Sequence, residues 1–403
     1  MELLGLEHVY WQLPLVAYPF LSGLVAGSFI VGSLSKVFGL SKFEPLAKLS
    51  VIVTFAFLVV AALAPLAEAV QRMRWWELYT RDHIPYSPLG LFIVIWTAYI
   101  ILVVAEMYFI FRVDNIRLAA QAQGWRRRWH NLLTFGSRDI SAGSLRRDHA
   151  VLVVLAVTGI LLALGFHGYV GFVFGALKAR PLWSNPLMPP LFIMSAIVSG
   201  IAVMIVAYVL IQGGLSADPI DRGILDGLMK FLMWMILVDL FLDFVDLLNA
   251  GVSAYTSLAV YRGFSAIFFP GGPLAVMYWV LQLGLLLLAL VMTFFRGIRR
   301  SPLWASITGL AVLISVFAMR YDTVIGGELQ PKVSQGLVRY TPVLFGIDSW
   351  QVLFGLAAIA IFLIGLSLLL LPWEPSWVTA WLGRGGNDGQ KIESGASSAE
   401  VGG

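Results

Sequence analysis

Long apolar runs separated by short polar stretches dominate this chain, and their lengths predict helices rather than strands. Nine runs stand out, at about 13–37, 47–70, 89–111, 149–175, 190–212, 225–250, 273–295, 303–319 and 350–372. Each is about 17 to 26 residues, long enough to cross a hydrocarbon core of about 30 Å as a helix. None alternates apolar and polar positions as an outer-membrane strand does. The pattern predicts an all-α, polytopic membrane protein of about nine transmembrane helices. The tail from Trp373 turns Gly- and Ser-rich after Gly383 and is expected to be disordered.

Composition agrees with this reading: 59% of the 403 residues are hydrophobic and 12% charged, about half the charged share of a soluble domain. The start, Met1 to Gln12, carries Glu2 and Glu7 where a signal peptide carries Lys or Arg, so the first span is expected to stay in the protein. Counting Lys and Arg on alternate sides gives seventeen against nine, with Lys230 inside a span. The richer side is expected to be cytoplasmic. That places the amino terminus outside and the carboxyl terminus inside. The basic loop 112–148 then lies in the cytoplasm with Arg126-Arg127-Arg128 between Trp125 and Trp129. Such a run marks topology and suits a segment held against membrane lipid; nucleic acid is not expected as a partner.

With no cysteine in the chain, cysteine-ligated iron–sulfur clusters and covalently attached haem are excluded. Haem b needs two histidines at compatible depth. Of His8, His83, His130, His149 and His167, only His167 sits well inside a span. No metal site and no catalytic residue in the narrow sense is expected.

Ionisable residues inside spans are costly and usually face the protein interior. The sixth span carries Asp239, Asp243 and Asp246 at i, i+4 and i+7, all on one helix face. Three carboxylates on one buried stripe do not all ionise, so at least one is expected to hold a proton, as a proton relay or a cation site requires. Glu106 in the third span extends the candidate proton path. The alternative for the acids is pairing with Arg262 or Arg320 at the outer surface. The first span carries Gly23 and Gly27, a small-residue pair that lets another helix approach closely.

After the eighth span comes Arg320-Tyr321-Asp322-Thr323-Val324-Ile325-Gly326-Gly327-Glu328, read here as a charged cap with Gly turns on the outer face. It resembles the Arg-Tyr-x-x-Val-x-Gly-Gly signature of the NrfD/PsrC family, with Glu328 where Gln is usual. Tyr18 to Gly27, Ser87-Pro88-Leu89, and Arg180-Pro181-Leu182-Trp183 followed by Leu191 to Gly200 are similar to further family segments. Arg320, Tyr321, Gly326 and Gly327 are the motif positions. The size is closest to the longer branch, which includes DsrP-like and QrcD-like subunits and those of alternative complex III.

The resemblance implies two four-helix bundles, residues 1–175 and 176–349, with a ninth helix at 350–372 and the tail 373–403 outside them. It implies a membrane subunit of a bacterial or archaeal respiratory oxidoreductase in the cytoplasmic membrane. Such a subunit exchanges electrons with menaquinone or ubiquinone. The expected partners are an extracytoplasmic ferredoxin-like iron–sulfur subunit and further catalytic or cytochrome subunits. A quinone site at the outer end of the first bundle would draw on Tyr18, Glu68, His167 and Tyr169, with Trp11 and Gln12 at its entrance. Here His167 and Tyr169 lie in the Gly-rich run Gly165 to Gly171. The competing readings are a proton- or Na-coupled secondary transporter and a passive membrane anchor.

Overall fold

The computed structural model describes residues 9–373, apart from 82, 83, 85, 217 and 331–336. His8, His83 and the tail beyond Trp373 therefore lie outside the described residues. All nine apolar runs are helical. We number the helices α1 (Leu13–Phe38), α2 (Leu46–Glu68), α3 (Pro88–Gln121), α4 (Gly124–Leu133), α5 (Ala142–Gly175), α6 (Met188–Leu215), α7 (Arg222–Thr256), α8 (Leu258–Phe268), α9 (Met277–Phe294), α10 (Pro302–Leu329) and α11 (Trp350–Leu370). Eight of them are long and apolar enough to cross a membrane. The sixth predicted span, α7, is the one not among these eight: it is long but interrupts its apolar run with Asp239, Asp243 and Asp246. The chain is an all-α, multi-pass membrane protein.

Local chemistry sets the helix ends. The Ser87, Ser141 and Asp221 side chains each accept a backbone N–H from the first turn of α3, α5 and α7, satisfying donors that a helix start leaves free. Gly39 closes α1 in the left-handed conformation, at φ 67°. Helix α9 begins with a wide π turn, Met277–Gly284, whose Gln282 carbonyl accepts the Ser315 hydroxyl at 2.6 Å.

Helix α1 is the axis of the molecule: it packs on α2, α5, α6 and α10, while α6 in turn carries α7 and α10 and α11 lies against α2. The tightest crossing is between α1 and α6. A Cβ on Gly27 would fall 2.1 Å from the Ala196 carbonyl oxygen, and one on Gly200 would fall 2.2 Å from Gly27. Only glycine permits that approach.

Long helices alternate in direction, so the chain has two ends. One gathers the start of α1, the end of α2 and the end of α10, and we call it the motif end. The other is held by ion pairs: Lys36 with Glu106 at 3.2 Å, Lys48 with Asp114 at 2.6 Å and Arg299 with Asp226 at 2.9 Å. At this basic end Arg112 of α3 binds Asp148, Ser144, Ser137 and the Asp139 carbonyl, fastening the loop between α3 and α5.

The eighth span runs further than its apolar stretch predicts. Helix α10 continues through the motif to Leu329, and Arg320, Tyr321, Gly326, Gly327 and Glu328 are all buried inside it. The motif is thus not an exposed cap. Arg320, Thr323 and Glu328 each find a partner within the bundle, so they can lie inside a helix that hydropathy alone would end at Met319.

Candidate functional site

The centre of the molecule is Arg320, whose side chain is fully buried at 0% exposure. Its guanidinium lies 3.9 Å from the centre of the Phe192 ring, a cation–π stack stronger for being dry. One nitrogen, Nη2, donates to Ser195 Oγ at 2.5 Å and to His167 Nε2 at 3.2 Å. A guanidinium has no acceptor, so His167 Nε2 must accept. The other ring nitrogen, Nδ1, then carries the hydrogen and donates to Ser22 Oγ at 3.2 Å, and Ser22 donates on to the Pro19 carbonyl at 3.3 Å. His167 is thereby fixed as a neutral imidazole of one tautomer. Four helices meet here: α1 supplies Ser22, α5 His167, α6 Phe192 and Ser195, and α10 Arg320.

The rest of Arg320 looks toward α7. Asp239 and Asp243 act on it electrostatically, though no carboxylate of α7 forms an ion pair with it among the described residues. Arg320 Nε and Nη1 and Asp239 Oδ1 are buried without a hydrogen-bond partner among those residues. One helical turn further, Gln282 lies beside Asp243, and the Asn185 amide donates to Asp246. The alternative of surface pairing with Arg262 or Arg320 is thus not what these acids do. Asp243 and Asp246 open on a cavity of about 90 Å³ also lined by Asp322, Tyr278 and Gln282, space for several waters. Asp322 is buried, and neither of its oxygens meets a donor among the described residues.

A second polar cluster sits at the motif end of α1 and α2. Glu68 accepts the Gln12 backbone N–H at 3.0 Å on one oxygen. Its other oxygen has no donor among the described residues, and the Asp348 carboxyl lies beside it. Tyr340 stands near both acids; burial, and then the neighbouring Tyr321, pushes its hydroxyl up. Tyr18 packs edge-on against Phe92 at 5.5 Å, one turn before Ser22. Tyr169 donates to the Pro88 carbonyl at 2.9 Å. Trp11 stacks on Trp183 at 5.1 Å, so it is wedged between the halves of the chain. Glu106 lies apart, on Lys36 at the basic end. Lys230, expected inside a span, is exposed and bonded to Asp226 at 3.0 Å.

The glycines around His167 serve packing. Gly168 abuts Ile193, and Gly171 abuts the Met188 carbonyl, so both face α6. The motif segments bind one another. Trp183 Nε1 donates to the Thr323 carbonyl at 2.6 Å, and a Cβ on Gly327 would strike that indole at 2.0 Å. Arg180 pairs with Glu328 at 3.0 Å, both buried. The unusual Glu328 therefore has a cation of its own, together with the Tyr10 backbone N–H at 3.3 Å.

Sequence reasoning did not single out Ser22, Phe192 and Ser195 as Arg320's surroundings, nor Asp322, Gln282 and Asp348. Asp322 is hidden in the sequence because its charged neighbours and the glycines after it suggest a cap, whereas it lies inside α10. The helical spacing of Tyr321, Val324 and Ile325 was the available signal. No cluster of three metal-ligating side chains occurs among the described residues.

Known proteins are similar to this sequence over most of its length. Residues 4–332 match the family described as polysulphide reductase, NrfD. The C subunit of the selenate reductase of Mesobacillus selenatarsenatis is 28% identical over 379 residues, covering 90% of this chain and 85% of its own. The C chain of the polysulfide reductase of Wolinella succinogenes is 24% identical, covering 79% and 95%. The Hdr-like menaquinol oxidoreductase integral membrane subunit of Archaeoglobus fulgidus is 22% identical, covering 92% and 87%. The motif buried around Arg320 and the match over most of its length place this chain in the NrfD family of quinone-linked membrane subunits of oxidoreductase complexes.

Proposed function

We propose that the motif end of the first four spans, residues 1–175, forms the quinone site and that residues 176–349 connect it to protons through the α7 acids. The observation that carries this reading is the cluster of Glu68, Asp348 and Tyr340 at the motif end, with the buried His167–Arg320 pair and the α7 acids as a second polar centre. Glu68, when its free oxygen carries a proton, and the hydroxyls of Tyr18 and Tyr340 can donate to the carbonyl oxygens of a quinone ring, and Trp11 and Phe92 offer apolar flanks. A bound quinone supplies two-electron, two-proton chemistry. Glu68 and Asp348, side by side, hold and release a proton at that edge. His167 has both nitrogens engaged and stands behind the site, linking Ser22 to Arg320. Asp239, Asp243, Asp246 and Asp322 continue the line into the cavity, while Glu106 is a separate acid toward the basic end.

In this reading the basic end is cytoplasmic, so the amino terminus lies outside and the motif end faces an iron–sulfur partner. Residues with large exposed side chains crowd that end, among them Met73, Trp75, Leu344 and Phe345, a surface suited to a protein partner. Menaquinone is the quinone named for one relative, and either menaquinone or ubiquinone satisfies the site's chemistry. Catalytic or cytochrome subunits would complete the complex in the cytoplasmic membrane.

Binding of a fluorescent hydroxyquinoline analogue to the purified complex tests this. Saturable quenching should weaken about tenfold in Glu68→Ala, the loss of one good hydrogen bond, and weaken in Tyr169→Phe and His167→Ala. An intact complex that binds no analogue would sink the quinone site.

A further inference from the structure

The loop between α3 and α5 holds α4, Gly124–Leu133, whose two faces differ. One face is docked. His130 Nδ1 meets Asn115 Oδ1 at 2.8 Å, and Trp129 Nε1 donates to the Leu370 carbonyl at the end of α11, at 3.2 Å. The other face carries Trp125, Arg128 and Leu132 at i, i+3 and i+7 with Arg127 beside them. Trp125 is 65% exposed and Leu132 63%. Phe135, just past the helix, is 82% exposed and is held there in a left-handed backbone, φ 48°, a conformation uncommon for a bulky residue. Large apolar side chains held out among arginines need a partner that is apolar on one side and anionic on the other.

Height decides which partner. Helix α11 is among the spans, and its outer surface is apolar and exposed up to Leu369. The Trp129 bond to Leu370 thus sets α4 level with the plane in which this span leaves the hydrocarbon. The Arg112 network with Asp148, Ser144 and Ser137 keeps the loop from lifting away.

We propose that α4 and Phe135 form a membrane-surface anchor that binds anionic phospholipid. Trp125, Leu132 and Phe135 enter the acyl boundary while Arg127 and Arg128 meet the phosphates. This rests on the span end and the helix faces and is independent of any quinone chemistry.

The test places the whole complex in nanodiscs of phosphatidylcholine, with or without phosphatidylglycerol, some of it brominated near the headgroup. Trp125 fluorescence is taken as the difference between wild type and Trp125→Tyr. We expect brominated lipid to quench it, more so when phosphatidylglycerol is present. Arg127→Gln with Arg128→Gln should lower the preference for anionic over neutral lipid by roughly tenfold or more. Phe135→Gly suits its backbone conformation, so this variant folds, and it should still reduce quenching. Trp125 untouched by brominated lipid in every disc would overturn the proposal, as would quenching that ignores lipid charge. Occlusion of Trp125 by a protein partner would appear as the first of these.

Discussion

The two polar centres of the molecule are built in opposite ways. Around His167 every ring nitrogen is engaged, the tautomer is fixed, and Phe192 covers the guanidinium of Arg320. Around Asp322, in the cavity beyond α7, carboxylate oxygens outnumber donors and there is room for water. The first arrangement resists change of charge because each hydrogen bond specifies the next. The second accepts a proton readily, because a proton completes hydrogen bonds that are otherwise missing. A fixed node beside an exchangeable store is what coupling between a redox site and a proton path requires.

The comparison breaks most sharply at Arg320. Arg320→Met leaves His167 Nε2 and Ser195 without their donor and should destabilise the complex by about 2–5 kcal/mol, seen as a lower thermal midpoint, and abolish quinone-linked electron transfer. Arg320→Lys keeps the charge but loses the flat stack on Phe192, and should fall between. Normal turnover in Arg320→Met would place the node off the path.

Removing the store should act more gently. Asp322→Asn, and likewise Asp239→Asn, should slow proton movement in proteoliposomes by at least about tenfold and leave analogue binding unchanged. Loss of both functions together, or of neither, would end the division of labour between the two centres.

The smallest effect sharpens the contrast with a second histidine. His130, outside the spans, is also buried; burial, and then Arg126, pushes its pKa down to about 4. Undocked, it would titrate near 6.5, so between those values the undocked state binds the extra proton. Docking of α4 is therefore fully supported above about pH 6.5 and weakens as pH falls toward about 4. Hydrogen exchange of residues 124–133 should rise over that window, and His130→Gln should flatten the response.

Much of this was legible in the sequence, and the reasons differ by region. The nine apolar runs stand out because membrane helices must satisfy their backbone internally and face apolar surroundings. Asp239, Asp243 and Asp246 stand out for the reverse reason, as acids where acids are costly. The burial of Arg320 and Asp322 was not legible, since hydropathy counts a charged residue as solvent-seeking and cannot see Phe192, Ser195 and His167 converging from other helices. Nor could spacing show that Trp183 packs on Gly327, or that Glu328 and Arg180 are one pair. Those are contacts between distant segments, and one chain read in order carries no record of them.

The backbone contact between Gly27 and Gly200 has a mechanical consequence. It welds the first helix of one half to the first helix of the other, leaving no compressible side chain as a bearing. A crossing of this kind holds α1 and α6 at one fixed separation at the centre of the molecule.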